Sequence, residues 1–283
     1  MKCNLCPNKC NIDRDVTEGV CHADNTMRIC RIAPHFSEEP PISGTRGSGT
    51  VFFSGCSLDC QFCQNSEISK SKVGQPFSPQ QLADALKNLV DEGVHNINFV
   101  TPTHFSHRIV ETLCIYRPPV PIVYNTSGYE LPEVIENLFP YVDIFLTDFK
   151  YADDRLAKKY SRREKYLEYC LASTAKMVED KPPLYDENGL LRQGVIVRHL
   201  MLPTEIQNTL EVIDIFSDRW KDRAIFSLMS QFFPAYKSQI KRTLKPVEYK
   251  IACSRLLERG VENCFVQELS SANESYVPLF DLR

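Results

Sequence analysis

From residue 50 onward the chain repeats one unit: a short apolar run, a polar tip, and a stretch with helical periodicity. The runs fall at residues 50–54 (TVFFS), 96–100 (NINFV), 121–124 (PIVY), 142–146 (VDIFL), 195–200 (VIVRHL), 224–228 (AIFSL) and 264–266 (CFV). They are short and rich in β-branched and aromatic residues, which suits parallel strands buried on both faces. Helices are expected between them. Residues 78–93 are the clearest, with Ser78 as N-cap, Pro79 in the first turn, Gly93 at the stop, and Leu82, Ala85, Leu86, Leu89 and Val90 on one apolar face. Residues 204–220 and 247–260 read the same way. Such alternation predicts an α/β chain, folded either as a complete or partial barrel or as an open doubly wound sheet. The polar tips favour the barrel, because only there do the C-terminal ends of many strands converge on one ligand.

Composition narrows the function classes. A formal net charge of -3 gives no bulk attraction to nucleic acid or anionic membrane. No apolar run reaches the roughly 18–20 residues needed to span a bilayer. The opening MKCNLCPNKC has no apolar h-region of a secretory signal. The expectation is a cytoplasmic protein with reduced thiols. That matters because the chain has 12 cysteines, five of them in the first 30 residues and three between Cys56 and Cys63. Clustered thiols in a reducing compartment point to metal or redox chemistry.

Cys56-Ser57-Leu58-Asp59-Cys60-Gln61-Phe62-Cys63 follows the first apolar run directly. Soft thiolates at this spacing wrap a compact metal centre. Structural zinc and electron-transfer clusters take four protein ligands, whereas three leave a position open for chemistry. A fourth cysteine from the N-terminal segment is the local alternative.

This C-x3-C-x2-C motif, with Phe62 before the last cysteine, resembles that of the radical S-adenosylmethionine (SAM) superfamily. The trailing Gln64-Asn65 and the later Asp148-x-Lys150 are similar to the branch that activates glycyl-radical enzymes. Within it, the chain resembles the PflX-like homologues of pyruvate formate-lyase activating enzyme. Their pattern is carried by Cys3-x2-Cys6-Pro7-x2-Cys10, Ile42-Ser43-Gly44-Thr45-Arg46-Gly47-Ser48-Gly49, Phe52-Phe53-Ser54-Gly55-Cys56 and Val100-Thr101-Pro102-Thr103-His104.

The resemblance implies a partial (β/α)6 TIM-type barrel over residues 46–283, with a small Cys-rich segment over residues 1–45. It implies a [4Fe–4S] cluster on Cys56, Cys60 and Cys63, with SAM chelating the open iron. One-electron reduction would then yield a 5′-deoxyadenosyl radical that abstracts a hydrogen atom, from glycine of a partner protein or from another C–H bond. Phe62 is expected against the adenine, with Asn65 beside it. Many relatives carry Gly-Gly-Glu where Thr101-Pro102-Thr103-His104 stands here, so Thr101 and Thr103 must contact SAM by hydroxyl or backbone. Asn125 stands in place of an acid, with Ser127 two residues on. Asp148 and Lys150 keep the branch's pair, and Arg198 suits the SAM carboxylate or ribose. His104 is the candidate proton donor, ahead of His107 and His199, with Gln231 and Glu268 on the substrate side. A flavodoxin- or ferredoxin-type protein is the expected electron donor. The basic stretch at residues 158–165 reads as a solvated face, with donor docking as the alternative.

Cys3, Cys6, Cys10 and Cys21 supply four further thiols, with Cys30 spare. They fit a zinc ion or an auxiliary [4Fe–4S] cluster that staples a segment poor in apolar residues. Free thiols packed on the barrel are the bland alternative. Two other functions stay open: modification of a small molecule or peptide using that auxiliary cluster, and a zinc-binding interaction protein.

Overall fold

Strands buried on both sides need a layer on each face, and this chain builds both. The computed structural model describes residues 2–272 and Phe280. Its strands are β1 (Met27–His35), β2 (Ser48–Phe53), β3 (Gln75–Phe77), β4 (Ile97–Val100), β5 (Ile122–Thr126), β6 (Ile144–Asp148), β7 (Leu184–Tyr185), β8 (Leu191–Leu200), β9 (Ile225–Met229) and β10 (Cys264–Val266). The helices are α1 (Pro40–Ser43), α2 (Ser66–Ser69), α3 (Pro79–Asp91), α4 (Ser106–Ile115), α5 (Pro132–Leu138), α6 (Asp154–Ser161), α7 (Tyr166–Asp180), α8 (Ile206–Trp220) and α9 (Pro246–Glu258).

The main sheet runs β10-β9-β8-β6-β5-β4-β2-β1-β3, and β7 pairs with β8 off that path. From β2 to β10 all neighbours are parallel, while β1 and β3 add an antiparallel edge. Among the described residues no pairing joins the two ends, so the sheet stays open. This is the partial barrel expected from the strand–helix alternation, with β10 as a short seventh parallel strand.

Side chains alternate between faces with period two. Tyr124, Phe145, Val195, Val197 and Phe226 point out and join the large core under the helices. Val123, Ile144, Leu146, Ile196 and Ile225 point in and form a separate apolar layer. Ile42 of α1 is fully buried in that inner layer. The short helix therefore plugs the barrel from below, and the chain leading into it runs beneath the cavity. Burying one Ile stabilises by about 1.5–3 kcal/mol, enough to hold a one-turn helix that lacks helical stability of its own.

The capping of α3 is as expected: Ser78 accepts from the Gln81 N–H, and the Gln81 side chain accepts from the Ser78 N–H. Its buried face uses Ala83 rather than Ala85, alongside Leu82, Leu86 and Leu89. A second expectation fails at β1. The first 45 residues were expected to carry little pattern, yet residues 27–35 pair with β2. Arg28 and Arg31 interrupt the apolar residues there and hide a half-buried strand between β2 and β3.

Candidate active site and metal centre

The three-cysteine loop begins where β2 ends and is held from three directions. Gly55 adopts φ +86, and a Cβ there would fall 2.4 Å from the Cys21 carbonyl, so only glycine fits. That same carbonyl accepts the Cys56 N–H at 3.1 Å. The Asn8 amide and the Arg163 guanidinium both donate to the Ser57 carbonyl, at 2.8 and 2.7 Å. From the end of α6, the Ser161 and Tyr160 carbonyls accept the Asp59 and Gln61 N–H groups.

The thiols lie within electrostatic reach of one another. Burial pushes the Cys56 thiol up to about 12, and nearby Cys60 and Cys63 push in the same direction. Burial also raises Cys63, again reinforced by Cys60. Lys70, ion-paired to Asp59 at 2.7 Å, is the nearby cation. Cys56 and Cys63 resist ionising in isolation, and a loop of three soft donors suits a metal centre whose iron supplies positive charge. Among the described residues no three His, Cys, Asp or Glu side chains converge tightly enough for a single ion. A cubane cluster spans wider than one ion, so that result counts against a bare ion and not against a cluster.

The loop opens into a cavity of about 550 Å³ inside the sheet. Cys56, Cys60, Cys63, Phe62 and Asn65 line one side. Thr101, Asn125, Ser127, Asp148, Lys150 and Arg198 line the rest. Residues spread over more than 140 positions of sequence thus meet in one space. Phe62 packs edge-on against Tyr160 and Phe232, with centroids 6.3 and 5.9 Å away. Thr101 has φ +57, a costly region for a β-branched residue, and its N–H donates to the Asn125 carbonyl. Such strain often marks a functional turn. The Ser127 hydroxyl is buried without a partner. Gly128, at φ +76, must be glycine, because a Cβ would sit 2.1 Å from the Asp148 carbonyl.

An ionic network crosses the cavity. Lys150 Nζ lies 2.5 Å from Asp148 Oδ2, and Arg198 Nε lies 3.0 Å from Asp148 Oδ1. Burial alone would raise the Asp148 carboxyl, but Lys150 and Arg198 outweigh it and hold the group below its usual range. Arg198 also donates to Asn125 at 2.6 Å and pairs with Glu38 at 3.3 Å. Asn98 and Asn125 both donate to Glu38. Glu38 and Glu39, just before α1, line the cavity and were missed by sequence reasoning. Their only signal is a pair of acids before Pro40-Pro41, which by itself reads as an exposed turn.

Two expected contacts turn away from the cavity. The Thr103 hydroxyl donates to Glu130 at 2.5 Å. The His104 ring donates from Nε2 to the Ser54 carbonyl at 2.7 Å, and burial pushes its basicity down to about 3. Neither residue lines the cavity. A ring that stays neutral and faces a backbone carbonyl is a strut for the cluster loop, not a proton donor. His107 bonds Asn25, and His199 bridges the Phe149 carbonyl and Thr209. Gln231 lines the cavity, and Glu268 does not.

The N-terminal thiols also gather. Cys21 lies within electrostatic reach of Cys10 and Cys3, and Cys6 within reach of Cys21. In the basic stretch, Lys158 pairs with Glu164, Lys159 with Glu205 and Arg162 with Asp59, so its cations are largely matched.

An open α/β barrel with a three-thiol loop at the tip of its first parallel strand and an ionic cavity beneath defines a cofactor-using barrel enzyme fold. The family model of the Radical SAM superfamily matches residues 50–213, and the chain belongs to that superfamily. The family implies a [4Fe–4S] cluster and SAM, and the thiol loop and cavity fit both. An uncharacterized protein of Methanocaldococcus jannaschii, MJ0674, is 28% identical over 248 residues, covering 84% of this chain and 68% of that one. SuiB of Streptococcus suis, solved with its precursor peptide SuiA, is similar in fold with a TM-score of 0.56 at 14% identity, over 77% of this chain and 48% of SuiB. Methylornithine synthase PylB gives 0.54 at 13% identity, over 83% of this chain and 74% of PylB. The chain thus spans about half the length of SuiB. No described helix is long and apolar enough to cross a membrane.

Proposed function

We propose that this protein reductively cleaves SAM at a [4Fe–4S] cluster held by Cys56, Cys60 and Cys63, and uses the resulting 5′-deoxyadenosyl radical to abstract a hydrogen atom. The observation that carries this reading is the loop of three thiols opening into a buried, polar-lined cavity. A cluster held by Cys56, Cys60 and Cys63 would supply the one-electron chemistry that no side chain here can perform. The chain's own residues bind and orient. Phe62 offers an aromatic wall for a purine. Ser127 offers an unpartnered hydroxyl. The Asp148–Lys150–Arg198 network presents fixed charges that need not reorganise during reaction. An external flavodoxin- or ferredoxin-type protein supplies the electron in this reading.

Two readings of the target remain. The resemblance to PflX-like proteins favours glycine of a partner protein, which would insert a loop through the strand tips. The closed floor under the cavity favours a small molecule or a peptide side chain. In either case Cys3, Cys6, Cys10 and Cys21 hold an auxiliary cluster or, once drawn closer together, a zinc ion in our reading.

The test is anaerobic iron–sulfur reconstitution, reduction and SAM addition. Wild-type protein should turn brown and release 5′-deoxyadenosine. Cys60→Ala should lose the cluster absorbance and at least about 100-fold of the SAM cleavage, because one of three ligands is gone. A colourless, zinc-only protein that leaves SAM intact would favour the interaction-protein reading.

A further inference from the structure

The charges in the cavity do not balance. Three carboxylates line it, from Glu38, Glu39 and Asp148, against two cations, Lys150 and Arg198. Lys150 is committed to Asp148, and Arg198 pairs with Asp148 and Glu38 while also facing Glu39, so two cations serve three acids. Among the described residues Glu39 makes no ion pair, and its Oε2 is buried with no hydrogen-bond partner. His35, also on the wall, brings no compensating charge, since burial lowers its basicity. Burial raises the Glu39 carboxyl and Arg198 only partly offsets it, so the group holds its charge best when a further cation arrives. An inorganic ion is a poor candidate, because the described acids do not converge on one point. The surrounding wall is apolar, with Leu200, Met229 and Phe265. Such a wall suits an aliphatic stem that ends in a cation.

Glu38 spans two levels of the cavity, accepting from Asn125 near the strand tips and from Asn98 deeper down. Asn98, which donates to Glu38, stands opposite Thr50 of β2. Thr50 is three residues short of that strand's end, about 10 Å lower at the usual rise per residue. Cys56 lies three residues beyond the end.

We propose that the cavity floor at Glu39, braced by Glu38, binds the ammonium group of an aliphatic amine substrate. This deepens the SAM-cleaving reading by naming a substrate class for the same cavity. The α1 plug places the acids, so specificity is set from the bottom of the barrel and radical formation from the top.

The test is equilibrium binding to reconstituted, SAM-loaded protein, with n-pentylamine against its neutral isostere n-pentanol. Wild-type protein should prefer the amine by at least about tenfold, as expected for a hydrogen bond to a charged group. Glu39→Gln should erase that preference, and Glu39→Asp should keep part of it. No preference in the wild type, or an undiminished one in Glu39→Gln, overturns the proposal. Loss of SAM affinity in Glu39→Gln, with the amine preference intact, assigns the carboxylate to SAM and also overturns it. The wild-type comparison needs no variant to fold. SAM cleavage, measured in the same preparation, tests the broader reading separately.

Discussion

Glu130 shows how one residue ties the site's surroundings to pH. Its carboxyl is fully buried and accepts from the hydroxyls of Thr103 and Thr126. Burial raises it from 4.5 to about 7 against the lowering effect of those two bonds. The folded protein therefore keeps this proton at a pH where the unfolded chain has lost it. The resulting stabilisation is complete below about 4.5 and fades as pH rises towards 7. The group contributes up to about 3 kcal/mol across that window. Glu130→Gln, which stays neutral and keeps an acceptor, should flatten the fall in stability between those values. Denaturant melts of both proteins across that window check it. An unchanged slope would show that another group is responsible.

At the scale of elements, the short plug α1 has the largest effect for its size. It has four residues and no side-chain cap, so tertiary packing alone keeps it helical. Ile42→Ala should cost about 2–5 kcal/mol through the cavity it leaves among Val123, Ile144 and Ile196. Because the chain entering α1 carries Glu38 and Glu39, the variant should also lower SAM-dependent turnover at temperatures where it is still folded. Comparing its melting curve with its activity below the transition separates the two effects. By contrast, α3 has a full capping box and a continuous buried face, and it packs mainly on α4 at the outside of the sheet. A cap lesion there, Ser78→Ala, should cost about 1 kcal/mol without altering SAM cleavage.

At the scale of the whole molecule, the N-terminal segment and the barrel are coupled through a backbone bond. Cys21 lends its carbonyl to the Cys56 N–H, and its thiol sits with Cys3, Cys6 and Cys10. A metal held by those four thiols would thus stiffen the cluster loop. Cys10→Ala should reduce the metal content beyond the first cluster, lower the melting temperature, and speed iron loss from Cys56, Cys60 and Cys63. Metal analysis and the decay of cluster absorbance after chelator addition report on this. About eight irons per wild-type chain would assign an auxiliary cluster, and about four irons plus zinc a structural ion.

Much of this was legible along the chain. The seven apolar runs each fall on a parallel strand, because burial on both faces leaves a continuous local signature. The Cys56–Cys63 loop was legible because its three thiols sit within eight consecutive residues. So were Asp148 and Arg198, as polar tips of apolar runs. The tertiary structure alone decided the rest. It brought Glu38 and Glu39 under Arg198, 160 residues away. It also turned Thr103 and His104 outward onto Glu130 and Ser54. Periodicity records which face of an element is buried, and neighbouring ligands record a shared centre. Which charge meets which across a partial barrel depends on how the open sheet curves, and no local pattern encodes that.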